Sequence, residues 1–268
     1  MRWWLLLVVG VFTGCVAGPD RSSGSSVIDG GAPAVLERWA IRCEGLQWLR
    51  LKGQIQLEWE EGAQGHRTAR KEQGDMEVLL DGHEHASLRI TKFGDVKFWV
   101  GMTPDRYWEF DMISEPSVLR VRPPSIDDGG LMISPSLFRM LLALDPWPDA
   151  ASVERSGTSL KVTADVIGGT LVATLRASDL RVEQVVVDLG DTGRFTSEHR
   201  WTTGAIRVQD APQARPLASV VDLHVPEALI KVSTSTARAF SEEAIRPVAD
   251  IWFDLDRVRA HLRPDVVE

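Results

Sequence analysis

Residues 49–61, LRLKGQIQLEWEE, decide the fold class of this chain. Apolar residues occupy every second position of this stretch apart from Gly53, namely Leu49, Leu51, Ile55, Leu57 and Trp59. Arg50, Lys52, Gln54, Gln56 and Glu58 fill the positions between them. A period of two predicts a β-strand with one buried and one wet face, which is typical of antiparallel sheets.

The same pattern recurs along most of the chain. Further runs with strand character cover residues 67–80, 86–93, 96–102, 107–113, 159–166, 170–175, 182–189, 195–208, 220–225 and 229–233, mostly joined by short Gly, Asp or Pro turns. About ten strands in this order form an antiparallel meander. So wide a sheet must curl because of its twist, so we expect an α+β, mainly β fold: a half-barrel with an apolar inner face that needs a cover.

Two segments are predicted to supply helices near this sheet. Residues 35–46 carry apolar side chains at steps of three and four, which predicts one amphipathic helix. Residues 134–146, SPSLFRMLLALDP, have Ser134 as a candidate N-cap, Pro135 at the first helical position and Asp145-Pro146 as a stop. This second helix is apolar almost all round, so we expect it to lie buried on the concave face of the sheet. Residues 251–262 carry a helical pattern that predicts a final helix.

The first residues, MRWWLLLVVGVFTGCV, indicate export and a lipid anchor. Arg2 precedes an apolar run of about ten residues, too short to span a bilayer, and small residues lead to Cys15. Residues 12–15 (FTGC) resemble the lipobox of bacterial lipoproteins, in which the cysteine is lipidated. We therefore expect a signal peptide at 1–14, a lipidated Cys15 with a flexible Gly- and Ser-rich tether at 15–34, and a single domain at 35–268. The alternative is an ordinary cleaved signal with an incidental Cys15. In such lipoproteins an Asp after the cysteine signals retention in the inner membrane; this chain has Val16 there, so the resemblance implies the outer membrane, on its periplasmic side.

The overall charge argues against a nucleic-acid partner. The formal net charge is −8 and the basic residues are scattered along the sequence. Nucleic-acid binding and attachment to anionic membranes both need clustered Lys and Arg. We therefore expect neither a nucleic acid nor a polybasic membrane patch to be involved.

The Cys15 motif, the long alternating strand, residues 96–110 (VKFWVGMTPDRYWEF) and residues 134–146 together resemble the Lol family of bacterial lipoprotein carriers and acceptors. The resemblance covers roughly residues 35–240. It implies a half-barrel lidded by helices, whose apolar interior takes up acyl chains of lipoproteins or lipids. It also implies an arginine that latches the lid, for which Arg67, Arg70 and Arg89 are equal candidates. No exposed apolar hook is expected, because the Gly94-Asp95 and Pro104-Asp105 turns are short and polar.

The resemblance leads to a function and a set of site residues. We expect a non-enzymatic, membrane-anchored lipoprotein that binds acyl chains during lipid or lipoprotein trafficking, without a cofactor and with a periplasmic carrier protein as a possible partner. The predicted cavity residues are Leu57, Trp59, Phe98, Val100, Phe110, Met112, Leu137, Met140 and Leu141; choosing the wrong strand face inverts such a list.

Two alternatives to lipid binding stay open. One is a structural or assembly lipoprotein with a packed core and no ligand. The other is a metal-dependent enzyme, in which His83 and His85 lie on one strand face beside Glu84. A catalytic zinc needs a third protein ligand, and none lies close in sequence. The acidic pair Asp127-Asp128 offers too few oxygens for calcium.

Overall fold

The computed structural model describes residues 31–61, 68–82, 85–123, 135–211, 213–226 and 228–268. The predicted signal peptide, Cys15 and the tether as far as residue 30 lie outside these residues. Helix α1 (Gly31–Cys43) begins four residues before the expected domain start at Val35 and buries Val35, Trp39 and Cys43. Among the described residues, no helix has the length and apolar character needed to cross a bilayer.

Fifteen strands of the described residues form a single sheet. The N-terminal half contains β1 (Trp48–Glu61), β2 (Thr68–Asp81), β3 (His85–Lys92), β4 (Asp95–Thr103), β5 (Arg106–Asp111) and β6 (Val118–Arg122). The C-terminal half contains β7 (Ser152–Ser156), β8 (Ser159–Val166), β9 (Gly169–Arg176), β10 (Val182–Asp188), β11 (Arg194–Ile206), β12 (Val208–Gln209), β13 (Leu217–Val225) and β14 (Ala228–Ala239), and β15 (Val266–Val267) returns to pair with β6.

The mainly β fold and the curled antiparallel sheet are confirmed, but the expected number of about ten strands is wrong. The additional strands are β6, β7, β12 and β15. Two of them are only two residues long, β7 (SVERS) has a single apolar residue, and β6 (VLRVR) is short and precedes two prolines. Such segments carry no readable period of two, so tertiary pairing decides their conformation.

The chain order explains why a helix lies across the sheet. The sheet runs β15-β6-β5-β4-β3-β2-β1-β14-β13-β11-β10-β9-β8-β7, so β6 and β7 are near opposite edges. The connection between them must cross one face, and it carries α2 (Pro135–Leu141). Helix α2 is shorter than expected, ending at Leu141 instead of at Asp145-Pro146, and Ala143 turns the chain with φ +51°.

Helix α2 also reveals the curl of the sheet, because it contacts β3 and β4 on one side and β10 and β11 on the other. Strands β4 and β10 are seven steps apart in the sheet order. In a flat sheet that separation is about 34 Å, three times the diameter of a helix. The sheet therefore wraps around α2, which lies on the concave face as the sequence predicts.

The convex face has its own cover. Helices α3 (Glu242–Trp252) and α4 (Leu255–Leu262) replace the single final helix expected from the sequence. They are separate because Asp254 caps α4, accepting a hydrogen bond from the Arg257 amide at 3.0 Å. Ile245 and Trp252 of α3 and Val258 of α4 form a second core cluster with side chains of the sheet. The sheet residues in this cluster are Leu79, Trp99, Trp108, Phe110 and Leu119.

Candidate functional site

An open cleft lies on the concave face, at the end of the sheet where the β3–β4 turn projects. Its volume is about 330 Å³, at the lower limit of typical ligand sites. Strands β1 to β4 and the segment after β5 form its walls. The lining residues are Ile55, Leu57, Glu72, Gln73, Gly74, Ile90, Lys92, Lys97, Phe98, Met112, Ile113 and Glu115.

The floor of the cleft is apolar and its rim is charged. Ile55, Leu57, Ile90 and Phe98 on the floor belong to the main core cluster. On the rim, the Lys92 ammonium lies 2.7 Å from the Glu72 carboxylate, and both side chains are partly exposed. This arrangement suits an amphipathic molecule, whose apolar part lies on the floor and whose polar end meets the rim.

The close approach of two strands beside the cleft requires Gly74. A Cβ atom at this position would lie 2.7 Å from the Thr91 carbonyl oxygen. Gly74 pairs with Ile55 across β1 and β2, and the same added atom would lie 2.8 Å from Cγ2 of Ile90 on the cleft floor. Any larger residue here must displace the backbone of β3.

The predicted cavity residues fall into three groups. Leu57, Phe98 and Met112 line the cleft. Val100, Leu137, Met140 and Leu141 lie in or against the main core cluster and do not line the cleft. Trp59 lines a separate depression of about 500 Å³, and Phe110 faces the convex cluster. The structure corrects the prediction that Phe110 lines the concave cavity. Glu109 pairs with Val100 on the concave face, so the side chain of the next residue, Phe110, points to the convex face.

Helix α2 is packed tightly against the sheet. Leu137, Phe138 and Leu141 are buried in the main core cluster, and none of the residues that line the cleft belongs to this helix. The one charged residue of α2, Arg139, is buried as well. It donates to both oxygens of Asp145 and, at 2.7 Å, to the Gly82 carbonyl oxygen.

The carbonyl groups at the C-terminal end of α2 are bound by three polar side chains. Ser197 donates to the Leu141 oxygen at 2.7 Å, and His199 Nε2 lies 3.0 Å from the same atom. Arg215 donates to the carbonyl oxygens of Leu142, at 2.8 Å, and Ala143. These are the carbonyls that a helix end leaves without intrahelical partners, so the side chains fix α2 in place.

Burial controls the protonation of this network. It lowers the pKa of His199 to about 3, helped by the nearby Arg215 charge. It also lowers the pKa of Arg215 and raises the pKa of the Cys43 thiol to about 11. His199 is therefore a neutral donor and Cys43 a protonated, buried thiol at pH 7.

Two stacked tryptophans connect α1 to this network. The rings of Trp39 and Trp147 lie 4.1 Å apart and nearly parallel. Trp39 Nε1 donates to the Asp145 carbonyl oxygen at 3.1 Å, and the Arg215 guanidinium carbon lies 4.7 Å from the centre of the Trp39 ring. Trp39 thus supports the residues that hold both α2 and the segment after it.

The arginines expected to latch the lid lie elsewhere. Arg89 is on the convex face, where it binds Glu77 at 2.5 Å and packs over Trp99 and Trp252. Arg70 lines the depression near Trp59, and Arg67 lies outside the described residues. Sequence reasoning missed Arg139 and Arg215. The sequence could have indicated Arg139, because it is the only charged residue within an apolar helix. Nothing in the sequence indicates Arg215, because it lies far from α2 along the chain.

Three exposed apolar residues share the end of the sheet at which the cleft opens. Phe93, at the tip of the β3–β4 turn, is 97% exposed, Ile167 in the β8–β9 turn is 85% exposed, and Ile113 is 48% exposed. Strand pairing places all three at the end of the sheet where Trp59 pairs with Ala228. The exposed Phe93 was not expected, because the turn was read from its polar residues Gly94 and Asp95.

No group of three or more metal-binding side chains occurs among the described residues. His85 lies against Phe253, with ring centres 5.3 Å apart. His83, Glu84 and the Asp127-Asp128 pair lie outside the part of the chain that the structure describes.

Comparison with known proteins gives similarity of fold only. No protein-family model and no curated protein matches the sequence. Crystal structures with a similar fold include a LolA superfamily protein of Nitrosomonas europaea, with 13% identity, a TM-score of 0.44 and coverage of 78% of this chain and 94% of the other. A domain assigned to outer membrane lipoprotein sorting in Vibrio parahaemolyticus has 13% identity, a TM-score of 0.46 and coverage of 77% and 91%.

A DUF1329 family protein of Desulfovibrio piger is also similar, with 11% identity, a TM-score of 0.47 and coverage of 84% of this chain and 98% of the other. At these identities and TM-scores the similarity says nothing about ligands or partners.

Proposed function

We propose that this chain is a membrane-anchored lipoprotein of the bacterial periplasm that binds acyl chains of lipids or lipoproteins on the concave face of its sheet. The observation that carries the proposal is the cleft of about 330 Å³ with its apolar floor and charged rim. Each acyl methylene that leaves water for such a surface contributes about 0.8 kcal/mol and needs no directed contact.

The rim supplies partners for the polar end of the ligand. Lys92 and Lys97 both line the cleft, beside Glu72 and Glu115. A fatty-acid carboxylate or a lipid phosphate pairs with the two ammonium groups while the chain lies over Leu57 and Phe98. The cleft holds part of one chain, and longer or multiple chains require α2 to move aside.

The membrane anchor in this proposal is Cys15, with residues 16–30 as part of its tether. Two or three acyl chains on one cysteine give stable attachment, because each buried methylene adds to the binding free energy. The predicted location is the outer membrane, on its periplasmic side, where a carrier protein delivers or collects the cargo.

We further propose that the end of the sheet that carries the cleft faces the bilayer. Phe93 is a bulky residue with φ +56°, a strained conformation for a side chain that is almost fully exposed. Phe93, Ile113 and Ile167 are exposed apolar side chains at this end of the sheet, and such side chains favour insertion between lipid headgroups. The cleft then opens toward its source of acyl chains.

Binding of a fluorescent fatty acid tests the proposed function. We expect micromolar affinity or better for the native protein, and an affinity about tenfold weaker for Leu57→Gln, because the variant places an amide on the apolar floor. Glu58→Gln is the matched control, since its side chain leaves the same strand on the opposite face. No binding by the correctly folded protein, or equal losses in both variants, would refute the proposal.

The packing beneath α2 favours a second candidate function. Leu137, Phe138 and Leu141 fill the space between the helix and the sheet, as in a structural lipoprotein with a solid core. Such a scaffold leaves the cleft empty and binds no fatty acid. The same titration therefore separates the two candidates.

A further inference from the structure

A second large groove lies at the opposite end of the sheet from the cleft. Its volume is about 730 Å³, and the start of β10, the end of β11 and the segment after it form its walls. Arg181 and Arg207 bring two guanidinium groups to the lining. The one carboxylate in the lining, Asp210, lies 2.8 Å from Arg238 Nε, so its charge is already paired.

Further arginines lie next to this groove. Arg42, near the end of α1, donates to the carbonyl oxygen of Asp179, two residues before Arg181. Its pKa is lowered by burial and by the neighbouring Arg38, while Asp179 acts in the opposite direction. Arg38 and Arg42 thus bring two positive charges close together on this side of the groove.

A buried cation next to the groove adds to this field. Arg215 stands between Ala214 and Pro216, both of which line the groove. It is buried and donates only to carbonyl oxygens in the described hydrogen bonds, and its Nε has no hydrogen-bond partner among the described residues. The Trp39 ring also lies against this cation, with its centre 4.7 Å from the guanidinium carbon, and burial weakens the screening of the charge.

Arg181 is held in a fixed orientation at the wall. Its Nε lies 3.0 Å from the Asp179 carboxylate, and its guanidinium carbon lies 4.9 Å from the centre of the Trp201 ring. The terminal Nη atoms make no hydrogen bond within the described part of the chain. A stacked guanidinium with its outer edge unused is a preorganised donor for a planar or tetrahedral oxyanion.

We propose that this groove, which Arg181 and Arg207 line and which lies next to Arg42 and the buried Arg215, binds a phosphate group. Two guanidinium groups at one space favour a phosphate, which presents several oxygens and up to two negative charges. The phosphate belongs either to an anionic phospholipid headgroup or to a small soluble phosphate compound.

The two sites are independent. Leu57 in the cleft and Leu49 at the groove end of β1 are eight residues apart, or about 26 Å along the strand. The phosphate in the groove is therefore not the polar end of a ligand in the cleft, and the inference goes beyond the proposed function without depending on it.

Calorimetric titration of the full chain tests the proposal with two probes. One is inorganic phosphate, and the other is a short-chain phosphatidylglycerol below its micelle concentration, with the matching phosphatidylcholine as the zwitterionic reference. We expect Arg181→Gln and Arg207→Gln each to weaken binding about tenfold, because each removes a charge-assisted hydrogen bond. Higher salt should weaken binding in the native protein.

Arg194→Gln is the matched control, since Arg194 is exposed at the start of β11, at the opposite end of the strand that Arg207 follows. Binding of inorganic phosphate identifies a soluble phosphate compound as ligand, and binding of phosphatidylglycerol alone identifies a lipid headgroup; either supports the proposal. It is overturned if neither probe binds, or if Arg194→Gln weakens binding as much as the other two variants. Fatty-acid binding should be the same in all three variants.

Discussion

Replacing Trp39 by alanine should lower the free energy of unfolding by about 3–5 kcal/mol, the usual cost of removing a buried aromatic side chain. Trp39 is fully buried, stacks on Trp147 and lies beneath the Arg215 guanidinium. Its loss leaves a cavity between α1 and the segment that follows α2, and it leaves the Asp145 carbonyl oxygen without its donor. Chemical denaturation followed by circular dichroism measures the effect.

Trp39→Phe is the conservative control. Phenylalanine keeps an aromatic ring for Trp147 and Arg215 but has no ring N–H for Asp145, so we expect a smaller loss of about 1–2 kcal/mol. If both variants lose the same stability, the stacked ring does not support this region, and the description of Trp39 as the base of the α2 network is wrong.

Replacing Gly101 by valine should cost about 3 kcal/mol or more, through overpacking on the convex face. A Cβ atom at this position would lie 2.0 Å from Cζ2 of Trp108, its cross-strand partner. Trp108 is fully buried beneath the other aromatic side chains of the convex cluster, so it has no free space into which to move. Urea denaturation of both proteins gives the difference.

The same substitution in a Trp108→Phe background isolates the cause. The three atoms nearest to the added Cβ, Cζ2, Cε2 and Cη2, all belong to the six-membered ring of the indole, and phenylalanine does not reach as far. The penalty for Gly101→Val should therefore shrink in that background. An unchanged penalty would show that the strain arises in the backbone and not from the tryptophan.

The two faces of the sheet are covered in different ways. The convex face is closed by α3 and α4 over Trp99 and Trp108, which pack edge to face at 6.1 Å. The concave face is covered by α2 only in part, and the cleft lies beside that cover. The floor of that cleft is formed by the buried side chains of Ile55, Leu57, Ile90 and Phe98.

Much of the fold could be predicted because long strands carry their period in the sequence. The alternation from Leu49 to Trp59 predicts β1 and its buried face, and the apolar stretch at 137–144 predicts a buried helix across the sheet. Short strands such as β12 have no such period, because their two residues pair only after the rest of the sheet has formed.

The candidate site was harder to predict than the fold. Leu57 and Phe98, each of which stands in a clear alternating run, line the cleft. Phe110 was placed on the wrong face because the sequence does not fix which face of β5 meets the core: apolar Trp108 and Phe110 share one face, and Tyr107 and Glu109 the other. Arg215 and His199 were missed because their partners lie more than 50 residues away.

Photoaffinity labelling with a diazirine-bearing fatty acid, followed by digestion and mass spectrometry, tests most directly whether the concave face binds acyl chains. We predict labels on the peptides that contain Leu57 and Phe98 and on the segment around Ile113, and loss of label when unmodified fatty acid competes. Labels confined to helices α3 and α4, or no label above background in folded protein, would contradict the account.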